Sequence, residues 1–199
     1  LGHNIFNPAL VGRAFVQASW PVAITTFAYD GMSGATVLDA MKRGIPLSDA
    51  LIQNGNQYVH AFIGQMGGCL GETSSLALLL GGAYLIYKKH IDWKVPAVMI
   101  GTVFVLTWAM GADPLMQIFS GGLFLGAFFM ATDMVTSPTT SKGRVVFALG
   151  LGILISLIRM KGGYPEGTAY AILIMNGVVP LIDRYIRPKK FGGVSKNGK

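Results

Sequence analysis

Apolar residues fall in six runs separated by short polar, glycine-bearing or basic stretches. The first extends from about Pro8 to Ala28 and holds one charge, Arg13. The others are Ser74 to Tyr87, Val95 to Met110, Pro114 to Ala131, Arg144 to Met160 and Thr168 to Ile182. Runs of this kind predict membrane-crossing helices, because a helix satisfies its own backbone polar groups in hydrocarbon. A further stretch, Gln57 to Leu70, holds His60, Gln65 and Met66. It is too short and polar to span and predicts a re-entrant or interfacial helix. Pro114 and Pro165 stand near segment starts, where a missing N–H costs nothing. The pairs Gly67-Gly68, Gly81-Gly82 and Gly121-Gly122 predict close helix approach or broken helices.

An internal repeat runs through this pattern. Ile5-Phe6, Leu10 and Phe15 recur at the same spacing as Ile118-Phe119, Leu123 and Phe128. Glu72 ahead of Ser74, Ala77 and Leu79 is echoed by Glu166 ahead of Thr168, Ala171 and Leu173. The expected fold class is therefore all-α, a polytopic helical membrane protein of about six transmembrane or re-entrant segments. Its repeat suggests three plus three, with broken helices at the repeat interface. Residues 1–199 read as one membrane domain. The opening Leu1-Gly2-His3-Asn4 has neither Met nor a charged leader, which predicts a piece of a longer polypeptide lacking N-terminal helices.

Charge fixes the expected orientation. Only 13% of the residues are charged, against about 25% in a soluble domain. The net charge of +7 is accordingly a topology signal and no nucleic-acid footprint. With Lys88, Lys89, Lys94, Lys142, Arg144 and the C-terminal tail from Arg184 placed in the cytoplasm, eleven of 16 Lys and Arg lie inside. Lys42, Arg43, Arg159 and Lys161 lie outside, and Arg13 lies within a segment. The stretch around Thr36 then faces the extracytoplasmic side. The chain's one cysteine, Cys69, excludes an internal disulfide and reads as a small buried hydrophobe. His3, His60 and His90 have no metal-ligand spacing. Trp93 suits an interfacial anchor.

The candidate chemistry lies in Asp30-Gly31-Met32-Ser33-Gly34-Ala35-Thr36. A threonine hydroxyl is a poor nucleophile without an activating partner, and only Asp30 and Ser33 are near in sequence. Ser33 or Thr36 also reads as the N-cap of a following helical turn, a role compatible with an anion at the same place. The pattern Asp-x-x-Ser-Gly-Ala-Thr resembles the site at which an exported flavin transferase attaches FMN to threonine through a phosphoester. Asn4 to Phe15, Gly71-Glu72-Thr73-Ser74, Phe128 to Asp133, Thr136 to Thr140 and Pro180 to Pro188 extend the likeness over nearly the whole chain. Together they resemble the RnfD/NqrB family. RnfD is a membrane component of the Rnf ion-translocating electron-transport complex, and NqrB is its relative in the sodium-translocating NADH:quinone oxidoreductase. The ending is closer to the Rnf member. Met134 and Val37 stand where proline is expected, and neither touches the attachment motif.

The resemblance implies FMN esterified to Thr36, with Asp30, Ser33, Gly34 and Ala35 forming the element the transferase recognises. It implies an electron-carrying subunit of a ferredoxin:NAD+ oxidoreductase that moves Na+ or H+ across the bacterial inner membrane. The implied partners are the other membrane and peripheral subunits, including a second covalent-FMN subunit and iron–sulfur subunits, and membrane lipid. Arg13 reads either as a neighbour of the flavin phosphate or pyrimidine oxygens, or as the ion-pair partner of Glu72. Asn7 reads as an N-cap before Pro8, preferred over a flavin neighbour. Glu72 and Asp133 carry hydroxyl neighbours, the hard-ligand set of a small cation, and are candidates for an ion pathway; helix capping is the alternative for Glu72, and a polar C-terminal turn before the Thr136 to Thr140 loop is the alternative for Asp133. Asp113 reads as a helix start. The competing readings are the quinone-reducing relative and a flavin-free channel or transporter.

Overall fold

The computed structural model describes residues 4–25, 27–29, 32–34, 36–44, 56–66, 68–69, 71–163 and 167–187. Asp30, Ala35, Pro165, Glu166 and the tail beyond Arg187 lie outside them. Four longer helices form the frame: α5 (Ser75–Tyr87), α6 (Lys94–Ala109), α9 (Ser141–Lys161) and α10 (Thr168–Tyr185). Among the described residues α9 is the helix both long and apolar enough to cross a membrane; α5 and α6 are apolar and shorter. At 1.5 Å per residue, α9 reaches about 31 Å, the thickness of a hydrocarbon core.

Two of the expected spans are broken. The run from Pro8 to Ala28 divides into α1 (Pro8–Ser19) and α2 (Pro21–Thr25), followed by a hairpin in which β1 (Phe27–Tyr29) pairs antiparallel with β2 (Met32–Gly34). Pro21 supplies no N–H to continue α1, so the ladder stops at Trp20. The run from Pro114 to Ala131 divides at Ser120-Gly121-Gly122 into α7 (Pro114–Phe119) and a second piece. That piece is α8 (Leu123–Leu125), continued by a π-helical turn over Gly126–Met130. Gly121 adopts φ +70°, a left-handed conformation that needs glycine. Among the described residues, the polar stretch before α5 holds the seven-residue α4 (Gln57–Ile63), stopped by Gly64 at φ +106°. Between the hairpin and α4 lies α3 (Val37–Arg43).

The core follows helical rows. On α6, Val95, Met99, Val103 and Thr107 are buried at four-residue spacing; on α9, Phe147, Leu151, Ile155 and Arg159 are. These rows lock α6 to α9, and at Gly152 an added Cβ would lie 2.5 Å from Thr102 Cβ. α10 adds Ala171, Ile172 and Met175, and the broken element contributes Leu123, Ala127 and Phe128. Leu10 and Leu123, equivalent in the sequence repeat, are both buried there, whereas Phe15 is exposed and its counterpart Phe128 is not. The outward faces are apolar too: Leu80 and Tyr84 on α5, Val105 and Trp108 on α6, and Ile153 and Leu157 on α9. Helices apolar all round are the signature of a lipid-facing bundle.

Contacts sort the loops to two ends. Lys94 Nζ donates to Ser141 Oγ (2.8 Å), Asp92 pairs with Arg144 (3.6 Å), and Thr139 N donates to Asp183 Oδ1 (3.2 Å). These draw the α5–α6 turn, the 131–140 segment and the end of α10 together. At the other end Lys42 Nζ donates to Gly162 O, and Tyr58 Oη donates to Asp113 Oδ2 (2.7 Å). The described basic residues expected inside and those expected outside therefore occupy opposite ends of the bundle.

Two glycine substitutions test this packing with opposite signs. A Cβ at Gly126 would sit 2.3 Å from Thr168 Cγ2, whereas one at Gly101 meets nothing within 4 Å. Gly126→Ala is expected to lower stability by about 1–3 kcal/mol through overpacking. Gly101→Ala is expected to raise it by roughly 0.5–1 kcal/mol through helix propensity. Thermal unfolding of the two variants in detergent, side by side, checks the pair.

Candidate functional site

α3 forms because both its ends are closed. Thr36 Oγ1 accepts from Asp39 N (3.3 Å) at the start, and Gly44, at φ +69°, donates to Ala40 O and Met41 O at the end. Asp39 in the first turn and Lys42 and Arg43 in the last complement the helix dipole, and Arg43 Nε pairs with Asp39 Oδ1 at 2.9 Å. The helix is pinned by Val37, Leu38 and Ala40, all buried, with Val37 packed among Ala61, Met66 and Met116. Thr36 is thus both the helix cap and a half-buried hydroxyl at a fixed place.

Thr36 borders a narrow cleft, with about 10 Å³ of open space, together with Val37, Met66, Gly68, Glu72, Thr73 and Gly121. Glu72 is 4% exposed, and its carboxylate lies over Gly122, where an added Cβ would come 3.1 Å from Oε1. Arg13, reaching across from α1, donates through Nη1 to Glu72 Oε1. The structure therefore brings Thr36, Glu72 and Arg13 together and gives Arg13 the ion-pair role. The cleft has room for about one water, so a group esterified to the Thr36 hydroxyl would lie outside it. Ser33 and Gly34 lie on β2, which ends two residues before Thr36.

Asn7 and Asp133 sit elsewhere. Asn7 Oδ1 accepts from Ala9 N (3.1 Å) and Leu10 N (3.4 Å), capping α1. Its backbone N–H donates to the side-chain oxygen of Asn176 (3.1 Å), whose amide nitrogen donates to Thr136 O and Ile172 O, each at 3.3 Å. Asn7 therefore lies midway along α10, about 9 Å down α1 from Arg13. Asp133 Oδ2 accepts from Thr136 Oγ1 (2.9 Å) and Oδ1 from Val135 N (3.3 Å), closing the turn after the π-helical segment. Glu72 stands where the second piece of the broken element begins and Asp133 where it has ended, so the two carboxylates do not share a site. Asp113 caps α7 through Leu115 N and Met116 N, as its sequence position predicts. Its carboxylate raises the pKa of Tyr58, first through the hydrogen bond and then through its charge. Among the described residues no group of three His, Cys, Asp or Glu could hold a metal.

Sequence reasoning missed Arg159. Counted only as an outside charge, it is 4% exposed and donates to Gln117 O (2.5 Å) and Ser120 O (3.3 Å), the carbonyl end of α7. The signal available was its position inside an apolar run one residue before Met160.

The Arg13–Glu72 pair makes a graded prediction. Arg13→Met strands a buried carboxylate and is expected to cost about 3–5 kcal/mol. The double variant Arg13→Met/Glu72→Gln removes the stranded charge and is expected to recover most of that loss. Unfolding midpoints of wild type, single and double variants close the cycle; equal losses in the single and double variants would refute the pair's energetic role.

Residues 1–192 match the NQR2, RnfD, RnfE family. The chain is 52% identical to the D subunit of the proton-translocating ferredoxin:NAD(+) oxidoreductase complex of Clostridium ljungdahlii, over 96% of the chain and 62% of that protein. It is 44% identical to the D subunit of the Na(+)-translocating ferredoxin:NAD(+) oxidoreductase complex of Acetobacterium woodii, over 96% of the chain and 60% of that protein. The D subunit of the ion-translocating oxidoreductase complex of Halorhodospira halophila is 38% identical, over 96% and 64% respectively. The chain thus spans less than two thirds of the length of these relatives. On the family match over almost its whole length, the chain belongs to the NQR2, RnfD, RnfE family of helical membrane proteins.

Proposed function

We propose that this chain is the FMN-bearing membrane part of an ion-translocating ferredoxin:NAD+ oxidoreductase, with the flavin esterified to Thr36. The observation that carries the reading is the placement of the Thr36 hydroxyl, fixed by its cap bond to Asp39 N on a half-buried residue close to the Arg13–Glu72 ion pair. Bound there, the flavin would exchange electrons singly or in pairs, and so connect one-electron and two-electron partners. The chain's own residues anchor and orient it. Thr36 supplies the ester oxygen, and the buried Val37 beside it fixes the place of that oxygen. Arg13 supplies positive charge near the phosphate and ring, offsetting Glu72. Asp30, Ser33, Gly34 and Ala35 form the element a flavin transferase reads.

Orientation agrees with maturation by an exported enzyme. Lys88, Lys89, Lys94, Lys142, Arg144, Arg184 and Arg187 gather at the end of the bundle away from Thr36, and basic residues favour the cytoplasm. Thr36 then faces the extracytoplasmic side of a bacterial inner membrane. Glu72 and Asp133, at opposite ends of the second half of the broken element, would serve as separate stations on an ion path. Electrons come from and leave to other subunits, iron–sulfur proteins and a second covalent-FMN subunit among them.

Gel electrophoresis under denaturing conditions tests the tether directly. Protein matured with its flavin transferase is expected to give a fluorescent band under ultraviolet light that Thr36→Ala abolishes. A dark wild-type band would overturn the reading in favour of a flavin-free channel. Quinone reduction by the intact complex, without need of ferredoxin, would assign it to the quinone-reducing branch.

A further inference from the structure

At the basic end of the bundle, away from Thr36, a second polar pocket lies between the α5–α6 turn and the 131–140 segment. His90, Asp92, Thr132, Ser137 and Arg144 line it, with Met134 beside them. We propose that this pocket holds the phosphate of an anionic phospholipid from the adjacent membrane leaflet.

The pocket has about 40 Å³ of open space, room for about three waters. That suits the oxygens of one phosphate and leaves the rest of a headgroup outside. Its lining supplies donors. Ser137 is 9% exposed, and its hydroxyl has no hydrogen-bond partner among the described residues. A buried hydroxyl left in that state is costly, so a bound oxygen acceptor would be stabilising. The His90 ring likewise makes no hydrogen bond or ion pair among the described residues. Arg144 Nε donates to Pro138 O (3.1 Å), and Nη1 stands 3.6 Å from Asp92 Oδ2. A guanidinium has five N–H donors, so Arg144 keeps others for an oxyanion. Asp92 Oδ1 is turned to Lys94 N (3.2 Å), and Thr132 Oγ1 donates to Phe128 O (2.6 Å). Against the one carboxylate in the lining stand Arg144 and, on the adjoining turn, Lys88 and Lys89. The field there is positive.

That turn places a lysine where the backbone favours glycine. α5 ends in a Schellman motif, with Lys89 N donating to Ile86 O (2.9 Å) and His90 N to Leu85 O (3.0 Å). Its left-handed position is held by Lys89 at φ +59°. The backbone gains nothing from a lysine there, whereas the rim of the pocket gains a charge. Lys88 and Lys89 are exposed and form no ion pair among the described residues; Lys88 Nζ lies over the Tyr84 ring at 5.9 Å. Tyr84, Tyr87 and Trp93 are exposed around the turn, as in an aromatic belt at a membrane interface. Met134 and Val135, also exposed, offer an apolar surface to acyl chains. Basic pockets between helices at this level suit anionic headgroups. A soluble phosphate compound would use the same donors and leave the aromatic and apolar rim unused.

Native mass spectrometry of the intact complex tests the site, after delipidation in detergent and supply of phosphatidylglycerol, phosphatidylethanolamine or inorganic phosphate. This subunit is expected to retain phosphatidylglycerol about tenfold better than the zwitterionic lipid. Ser137→Ala is expected to lower retention of both about tenfold, because the phosphate is common to them. Lys89→Gly is expected to cut the advantage of phosphatidylglycerol about fivefold. Its thermal midpoint without lipid is expected to stay level or rise, since glycine suits the left-handed position, and this separates binding from folding. Equal retention of the two lipids, or wild-type retention in Ser137→Ala, would overturn the proposal. Displacement of lipid by inorganic phosphate at equal concentration would overturn it in favour of a soluble phosphate compound. Loss of another subunit in Lys89→Gly, with lipid retention unchanged, would make the patch a protein contact instead.

Discussion

An arginine contact to a buried glutamate ties together three pieces of chain that local sequence cannot join. Arg13 belongs to α1, Glu72 precedes α5, and the carboxylate rests on Gly122 in the break before α8. Inside a bilayer either charge alone would be expensive, and each becomes tolerable only through the other. The contact thereby decides where α1 can lie. With Arg13 held at the Thr36 end and Asn7 tied to Asn176 midway along α10, α1 is a half-length helix that starts inside the bundle. The site follows from the same constraint, since the cleft's far wall is Glu72 itself.

Around that wall the bundle is organised by small residues. Gly82 faces the Phe128 ring, where a Cβ would lie 2.5 Å from Cδ1, and Gly150 similarly accepts Met175. Lipid offers helices no hydrophobic reason to associate, so close backbone approach and dispersion must supply it. The aromatic residues of the broken element extend this packing as a line. Phe62 meets Phe119 edge-on at 5.4 Å, and Phe119, Phe124 and Phe128 stack in turn at 6.3 and 6.2 Å. This line carries the packing from α4, beside the site, to the middle of the bundle.

Much of this is legible in order along the chain. The apolar runs match α5, α6, α9 and α10 within a few residues, because composition alone identifies a helix in an apolar solvent. The breaks at Pro21 and Ser120–Gly122 are harder. A hydropathy window averages apolarity and is blind to a hydrogen-bond ladder interrupted inside it, although the Gly121-Gly122 pair is a warning. In the site, Thr36 and Glu72 are visible as types in a pattern, and the pairing of Glu72 with Arg13 stands as one of two readings. Their shared cleft is not legible, since it depends on α3 docking against α4 and α7 over tens of residues. Arg159 shows the same limit: a cation at a helix end normally snorkels outward, and only the distant carbonyls of α7 turn it inward.

Those two arginines and Glu72 together explain how a helix can be broken beside hydrocarbon. At Ser120–Gly122 the element exposes the carbonyl end of α7 and the N–H end of α8 to an apolar interior, four orphan groups on either side. Arg159 donates to Gln117 O and Ser120 O, placing positive charge where α7 is negative. Glu72 lies against Gly122, the N-cap of α8, placing negative charge where α8 is positive. Arg13 then offsets Glu72. The break is stable because both helix ends meet a complementary charge, and it lies next to Thr36 because one of those charges also forms the wall of its cleft. Any change of charge on the Thr36 side therefore acts on the start of α8 through Glu72, which makes the broken element the part of the fold most directly exposed to events at the site.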